Sequence, residues 1–277
     1  MKHKSMKWLA ALTLALTQAS VYAITIDGDL NDWIGTPAGQ ASDWTPLRSS
    51  TFYTVEDQNT NYLNPGYGGQ DYDAEAIYVE VQSDTLYIAI VTGLSPASSD
   101  WPAGDIAIDF GDDDSFEYGI VVRGDTTNSR GGTGEAGDIF RVTEWNYGIW
   151  TAPDNYDPTG ASTYKSAHPT TVKSGTDTGK NADLAYKKAT YNGLDIGQLG
   201  AFEGDHYVIE AAVDVSVFDP ALWGQKFAVH WTMACANDWI EVDPNPAPEP
   251  PVMLLLGGGL GLLGWSRRQS KTRAHRS

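Results

Sequence analysis

Carboxylates are the side chains of this sequence best placed to do chemistry. Asp27, Asp29 and Asn31 stand at alternate positions, the spacing with which the opening half of a helix-loop-helix calcium loop presents its oxygens. A second knot, Asp112-Asp113-Asp114 followed by Glu117, falls in an acidic turn. Calcium takes six to eight oxygen ligands, so carboxylates crowded into a turn suit it. Asp27, Asp29, Asn31, Asp112 and Asp114 are therefore the candidate metal ligands, and calcium is the candidate ion; no other cofactor is suggested. The first stretch departs from the complete calcium loop, because Asp32 replaces its glycine and Ala38 its closing glutamate. The competing account of either cluster is a set of solvated turn residues at strand ends.

Aromatic side chains offer a second chemistry. Flat rings with a few polar groups beside them orient a ligand without catalysis. Trp44, Trp101, Trp145 and Trp150 sit in or beside loops and are the candidate sugar-stacking residues, whereas the strand settings of Trp33 and Trp231 assign those two to the core. Catalysis has less support. Paired carboxylates for glycoside cleavage are available throughout the chain and for that reason discriminate nothing. The nucleophile elbow, the two-histidine zinc helix and the phosphate loop are all missing from the sequence. Cys235, the single cysteine, has no partner for a disulfide, and a strand carrying both His230 and Cys235 turns them to opposite faces. The expectation is a protein that is not an enzyme.

The elements that must position these residues read as almost entirely β. "AEAIYVEVQSDTLYIAIVTG" (74–93) alternates as two strands about a Ser83-Asp84 turn, with Ile77, Val79 and Val81 sharing one face and Leu86, Ile88 and Ile90 another. "GDIAIDFGDDDSFEYGIVV" (104–122) repeats the arrangement around its acidic turn, and strands follow at 138–145, 206–218, 226–235 and 238–242. No segment holds a helical period, apart from a short turn expected around Ser216–Leu222. Strands at this spacing predict an all-β fold, a single jelly-roll-like β-sandwich with long polar loops at 123–137 and 151–204.

The two ends set the organisation. Residues 1–23 carry Lys2, Lys4 and Lys7, an apolar run from Trp8 to Leu16, and small residues at Val21 and Ala23, the pattern of a cleavable signal peptide. Residues 24–243 form the sandwich domain, 244–251 a proline-rich linker, 252–265 a short hydrophobic segment and 266–277 a basic tail. The 14 residues from Val252 to Trp265 would rise about 21 Å as a helix, short of the ~30 Å hydrocarbon core. Their glycines weaken that helix further. The arginines behind it favour the cytoplasmic side, which gives a transient tether.

Pro248-Glu249-Pro250, the Leu/Gly run and the arginines headed by Arg267 and Arg268 resemble the PEP-CTERM sorting signal of exopolysaccharide-producing Gram-negative bacteria. The resemblance implies an exosortase-type membrane protease as transient partner, a membrane-associated precursor, and a final place at the cell surface or in the extracellular matrix. "ITIDGDLNDW" (24–33) and "HYVIEAAVDVSVF" (206–218) resemble the opening and the late core strand of family-9-like carbohydrate-binding modules and DOMON-type sandwiches.

Charge narrows the partners. Outside the signal and the basic tail the chain keeps 10 basic residues against 36 acidic ones, a net charge of −26. Such a body repels nucleic acid and anionic membrane faces. The combined expectation is an exported, non-enzymatic surface or matrix protein associated with exopolysaccharide or biofilm. Two alternatives stand beside it: a calcium-dependent adhesion or structural protein without specific sugar binding, and a secreted glycan-active hydrolase.

Overall fold

The computed structural model describes residues 23–36, 44–55, 70–124, 132–148, 168–189, 205–236 and 238–244. Trp150 and the residues of the expected sorting signal, Pro248, Glu249, Pro250, Arg267 and Arg268, lie outside them, as does most of the expected signal peptide. The strands are β1 (Phe52–Val55), β2 (Ala74–Gln82), β3 (Thr85–Thr92), β4 (Ile106–Phe110), β5 (Tyr118–Ile120) and β6 (Asp138–Asn146). They continue as β7 (Thr171–Asn181), β8 (Asp183–Lys188), β9 (Tyr207–Asp214), β10 (Phe227–Thr232) and β11 (Trp239–Val242). Two antiparallel sheets result, ordered β1-β2-β3-β9-β8 and β11-β10-β4-β5-β6-β7. The protein is an all-β sandwich. Among the described residues no helix is long and apolar enough to cross a membrane.

Alternation builds the core. Ile77, Val79, Leu86, Ile88 and Ile90 of the first sheet meet Ile106, Ile108, Phe110, Val229 and Trp231 of the second, all buried. Each such side chain withdrawn from water contributes roughly 1.5–3 kcal/mol before its ordering cost. The β2–β3 hairpin turns where expected: Gln82 pairs with Thr85, and Ser83 takes a left-handed φ of 56°. The helical turn expected near 216–222 is also present, as a 3-10 turn at Val215–Val217 and the short helix α1 (Pro220–Trp223). Asp214 and Asp219 cap them, accepting the Ser216 and Ala221 N–H groups at 2.9 Å.

Two further layers cover the outer faces. Leu30, Trp33, Ile34 and Trp44 lie on Ala76, Tyr78, Ala89, Val91 and Val208, so the segment before β1 roofs the outside of the first sheet. On the outside of the second, Trp145, Val172, Ala107, Val121 and Phe140 form a smaller cluster.

The polar stretch 151–204 departs from its reading as one loop. Residues 171–188 form β7 and β8, and only Ala182 separates the strand that closes the second sheet from the strand that closes the first. Both are edge strands, so one side of each ladder is solvated and polar side chains are tolerated there. Gly104, before β4, shows how closely backbones approach. A Cβ on it would lie 2.2 Å from the Thr232 carbonyl oxygen and 2.4 Å from that of Thr170.

Candidate cation site

The outer face of the second sheet brings a carboxylate of β4 together with carboxylates of the loop that joins β4 to β5. In β4, Ile106, Ile108 and Phe110 point into the core, so Ala107 and Asp109 alternate outward. Asp109 pairs with Ala228 of β10, and continuing the β4–β5 register sets Glu117 opposite it. The connecting loop curls back with positive φ at Gly111 (125°), Asp112 (58°) and Asp114 (65°). Aspartate visits this region more readily than most side chains. The curl is held by Asp109, whose carboxylate accepts the N–H groups of Asp112, Asp113 and Asp114 at 3.1, 3.0 and 2.7 Å. Glu117 accepts the Phe110 N–H at 2.7 Å.

This folding leaves one carboxylate oxygen each from Asp109, Asp113 and Glu117 within 4.8 Å of one another. A carboxylate that accepts backbone N–H groups still has lone pairs for a cation. Burial pushes the Asp109 and Glu117 carboxyls up from their ordinary values. Backbone N–H donors oppose the rise, and Asp113 adds to it in both. A cation placed between them relieves that repulsion. The hard oxygens and the turn geometry suit calcium or magnesium better than a thiophilic metal.

The acidic face continues onto the neighbouring strands. Glu241 of β11 pairs with His230 of β10, and burial, then Asp114 and Asp112, push its carboxyl up to about 7. His230 is fully buried, stacks on His168 with centroids 5.1 Å apart, and meets the tilted ring of Phe116 at 5.4 Å. Its Nδ1 approaches Glu241 Oε2 at 3.2 Å, yet without the direction of a hydrogen bond, so both ring nitrogens stay unpartnered. Burial holds His230 and His168 down to about 3. They are therefore neutral, and the His230–Glu241 contact is not an ion pair.

Of the predicted ligands, Asp112 and Asp114 flank the site, but Asp113 is the member of that run whose carboxylate joins Asp109 and Glu117. Asp112 has Lys226 Nζ at 3.9 Å. The other predicted group does not assemble a cation site among the described residues. Asp27 and Asp29 accept the N–H groups two residues on, those of Asp29 and Asn31, both at 2.9 Å. Asp27 and Gly28 donate their own N–H groups to Glu210 at 2.9 and 2.6 Å. They form turns that fasten the segment to β9.

The predicted sugar-stacking residues need a larger correction. Trp44 is 2% exposed and Trp145 7%, so neither offers a ring face to a sugar. Trp44 belongs to the roof over the first sheet, and the Trp145 indole donates to the Phe116 carbonyl at 2.9 Å. Trp101 is half-buried against the main core. Trp33 and Trp231 are core, as expected. Cys235 is buried in the main core while His230 lies on the outer face, so the two are apart as the strand alternation requires.

A groove of about 670 Å³ opens elsewhere, beside the N-terminal segment on the first sheet. Tyr87 lines it with Thr25, Thr85, Asn181, Asp183 and Asp214.

Two antiparallel sheets over one core, with a carboxylate loop on an outer face, define the class as an all-β sandwich with a candidate cation site. Comparison with protein-family models, curated proteins and solved structures finds no match for the chain.

Proposed function

We propose that this is an exported surface or matrix protein that works without catalysis and takes a calcium-type cation on the β4–β5 loop as part of its folded state. The observation that carries the proposal is the convergence of Asp109, Asp113 and Glu117 on the face that also holds the buried His230 and the half-buried Glu241, in a body of charge −26. Export and sorting rest on the sequence of the two ends. The signal at 1–23 directs the chain out, residues 252–265 tether it, and an exosortase-type protease acts at Pro248-Glu249-Pro250.

Association with exopolysaccharide is the companion reading. With Trp44 and Trp145 buried, it now leans on the groove at Tyr87, where one aromatic ring stands among hydroxyls, an amide and carboxylates. The test is to express the full chain in an exopolysaccharide-producing Gram-negative host, read the mature termini by mass spectrometry, and release the surface fraction with EDTA. The proposal expects a surface form lacking residues 267–277, retained on the host's polysaccharide with calcium and freed by chelation. An intact C-terminus on the surface form contradicts the sorting step. Retention indifferent to calcium contradicts the cation's role, and turnover of labelled glycans contradicts the non-catalytic reading.

A further inference from the structure

Asp32 carries a buried carboxylate oxygen with nothing to bind. Its Oδ2 accepts the Thr25 N–H at 2.6 Å, whereas Oδ1 is closed to solvent and has no hydrogen-bond partner. A shut-in anionic oxygen is costly and calls for a donor. The nearby charges do not supply one. Arg48 spends Nη1 on the Asp32 carbonyl at 2.5 Å and Nε on Glu80 at 2.6 Å; its Nη2, also buried and without a hydrogen-bond partner, attracts the Asp32 carboxylate but makes no bond to Oδ1. Lys187 on β8 reaches the Asp27 carbonyl at 2.9 Å. Asp27 in the same segment and Glu210 on β9 are acidic neighbours that repel it.

The residue before Thr25 is Ile24, which is 7% exposed, while Ala23 stands in solvent. The bond between them is also where the signal sequence ends. Backbone nitrogens of neighbouring residues lie within about 3.6 Å of each other, so with the Thr25 nitrogen 2.6 Å from Oδ2 the Ile24 nitrogen is at most about 6 Å from that oxygen, within reach of a small shift of the chain start. Inside a chain that nitrogen is an amide; at a chain start it is an ammonium with three donors.

We propose that removal of residues 1–23 is a folding step as well as an export step, in which the freed Ile24 ammonium pairs with Asp32 Oδ1. The inference rests on the export reading. Water hydrolyses the Ala23–Ile24 peptide bond; the leader leaves with the new Ala23 carboxylate, and the Ile24 amine takes up a proton. The pair then anchors the segment whose Leu30, Trp33 and Ile34 roof the first sheet, so the roof tightens only in the processed protein. The leader-bearing precursor keeps an unpaired oxygen at that point and stays looser, as a chain awaiting export should.

The experiment reads the N-terminus of the protein recovered from an exporting host by mass spectrometry. It also compares thermal melting of the chain starting at Ile24 with the same protein acetylated selectively at the α-amine, for wild type and Asp32→Asn. Asparagine still accepts the Thr25 N–H through its amide oxygen, so this variant keeps the turn while removing the charge. The free-amine protein is expected to melt about 2–4 °C above the acetylated one near neutral pH. An α-amine paired in the fold has its pKa raised above the ordinary ~7.7–8.0. Its contribution is therefore full below that range and lost as pH rises through the raised value. The gap closes at high pH, and is missing at every pH in Asp32→Asn. Equal melting of free and acetylated wild type, or a gap that persists in Asp32→Asn, overturns the inference. A surface protein starting elsewhere than Ile24 overturns the export reading, whatever the melting shows.

Discussion

Both carboxylate oxygens of Glu210 are occupied: Oε2 by the N–H groups of Asp27 and Gly28 at 2.9 and 2.6 Å, Oε1 by the Trp33 indole at 2.8 Å. One acidic side chain of β9 thus clamps the roof of the first sheet. Glu210→Ala leaves those donors without their acceptor, and the expected loss is on the order of 3–5 kcal/mol, read from urea midpoints. Burial, opposed by the same donors, pushes the Glu210 carboxyl up to about 7. Burial does the same to Asp105, although it accepts the Val122 and Val172 N–H groups at 3.1 and 2.8 Å. A carboxyl whose folded pKa is raised holds its proton more readily in the fold than in the unfolded chain. Its contribution to stability is present at acid pH and is lost as pH rises from about 4 to about 7. Subtracting the pH profile of Glu210→Gln from that of wild type isolates this slope, and a difference that instead grows with pH contradicts the assignment.

At the scale of elements, the proposed cation chemistry belongs to the β4–β5 loop, where three carboxylates converge, and not to the N-terminal turn, where among the described residues they do not. Asp113→Asn, at an exposed loop position, is expected to weaken calcium binding at least about tenfold in a titration by calorimetry, with little change in the cation-free melting point. Asp27→Asn and Asp29→Asn are expected to leave calcium binding unchanged, because their carboxylates cap turns. Much of the fold was legible in local pattern: the alternation of 74–93 foretold β2, β3 and their inward faces. β7 escaped because "TVKSGTDTGKN" is polar and glycine-bearing, and its strand conformation comes from the ladder it makes with β6. Asp109 escaped for a different reason. The pattern "IAIDF" was read for its apolar members, while the hairpin register that sets Asp109 opposite Glu117, only eight residues on, was not followed through the acidic turn. The burial of Trp44 was likewise invisible locally, since Tyr78, on a strand 34 residues away, lies beneath it and donates its hydroxyl to the Trp44 carbonyl.

For the whole molecule, the balance of charge and core decides what holds the fold. The sandwich has one cysteine and so no internal disulfide, and its body of charge −26 repels itself. On the proposed reading, a divalent cation bound on the acidic face of the second sheet would lower that repulsion and add its binding free energy to folding. At a hundredfold excess over its dissociation constant, a ligand specific to the folded state adds about 2.7 kcal/mol. For a domain of this size that corresponds to roughly 5–10 °C in melting temperature. The most direct test is the melting temperature of the purified protein in calcium against EDTA, with Asp113→Asn and Glu117→Gln alongside. A rise of that size in wild type, lost in both variants, is the predicted result; melting curves that superimpose with and without calcium would contradict the account.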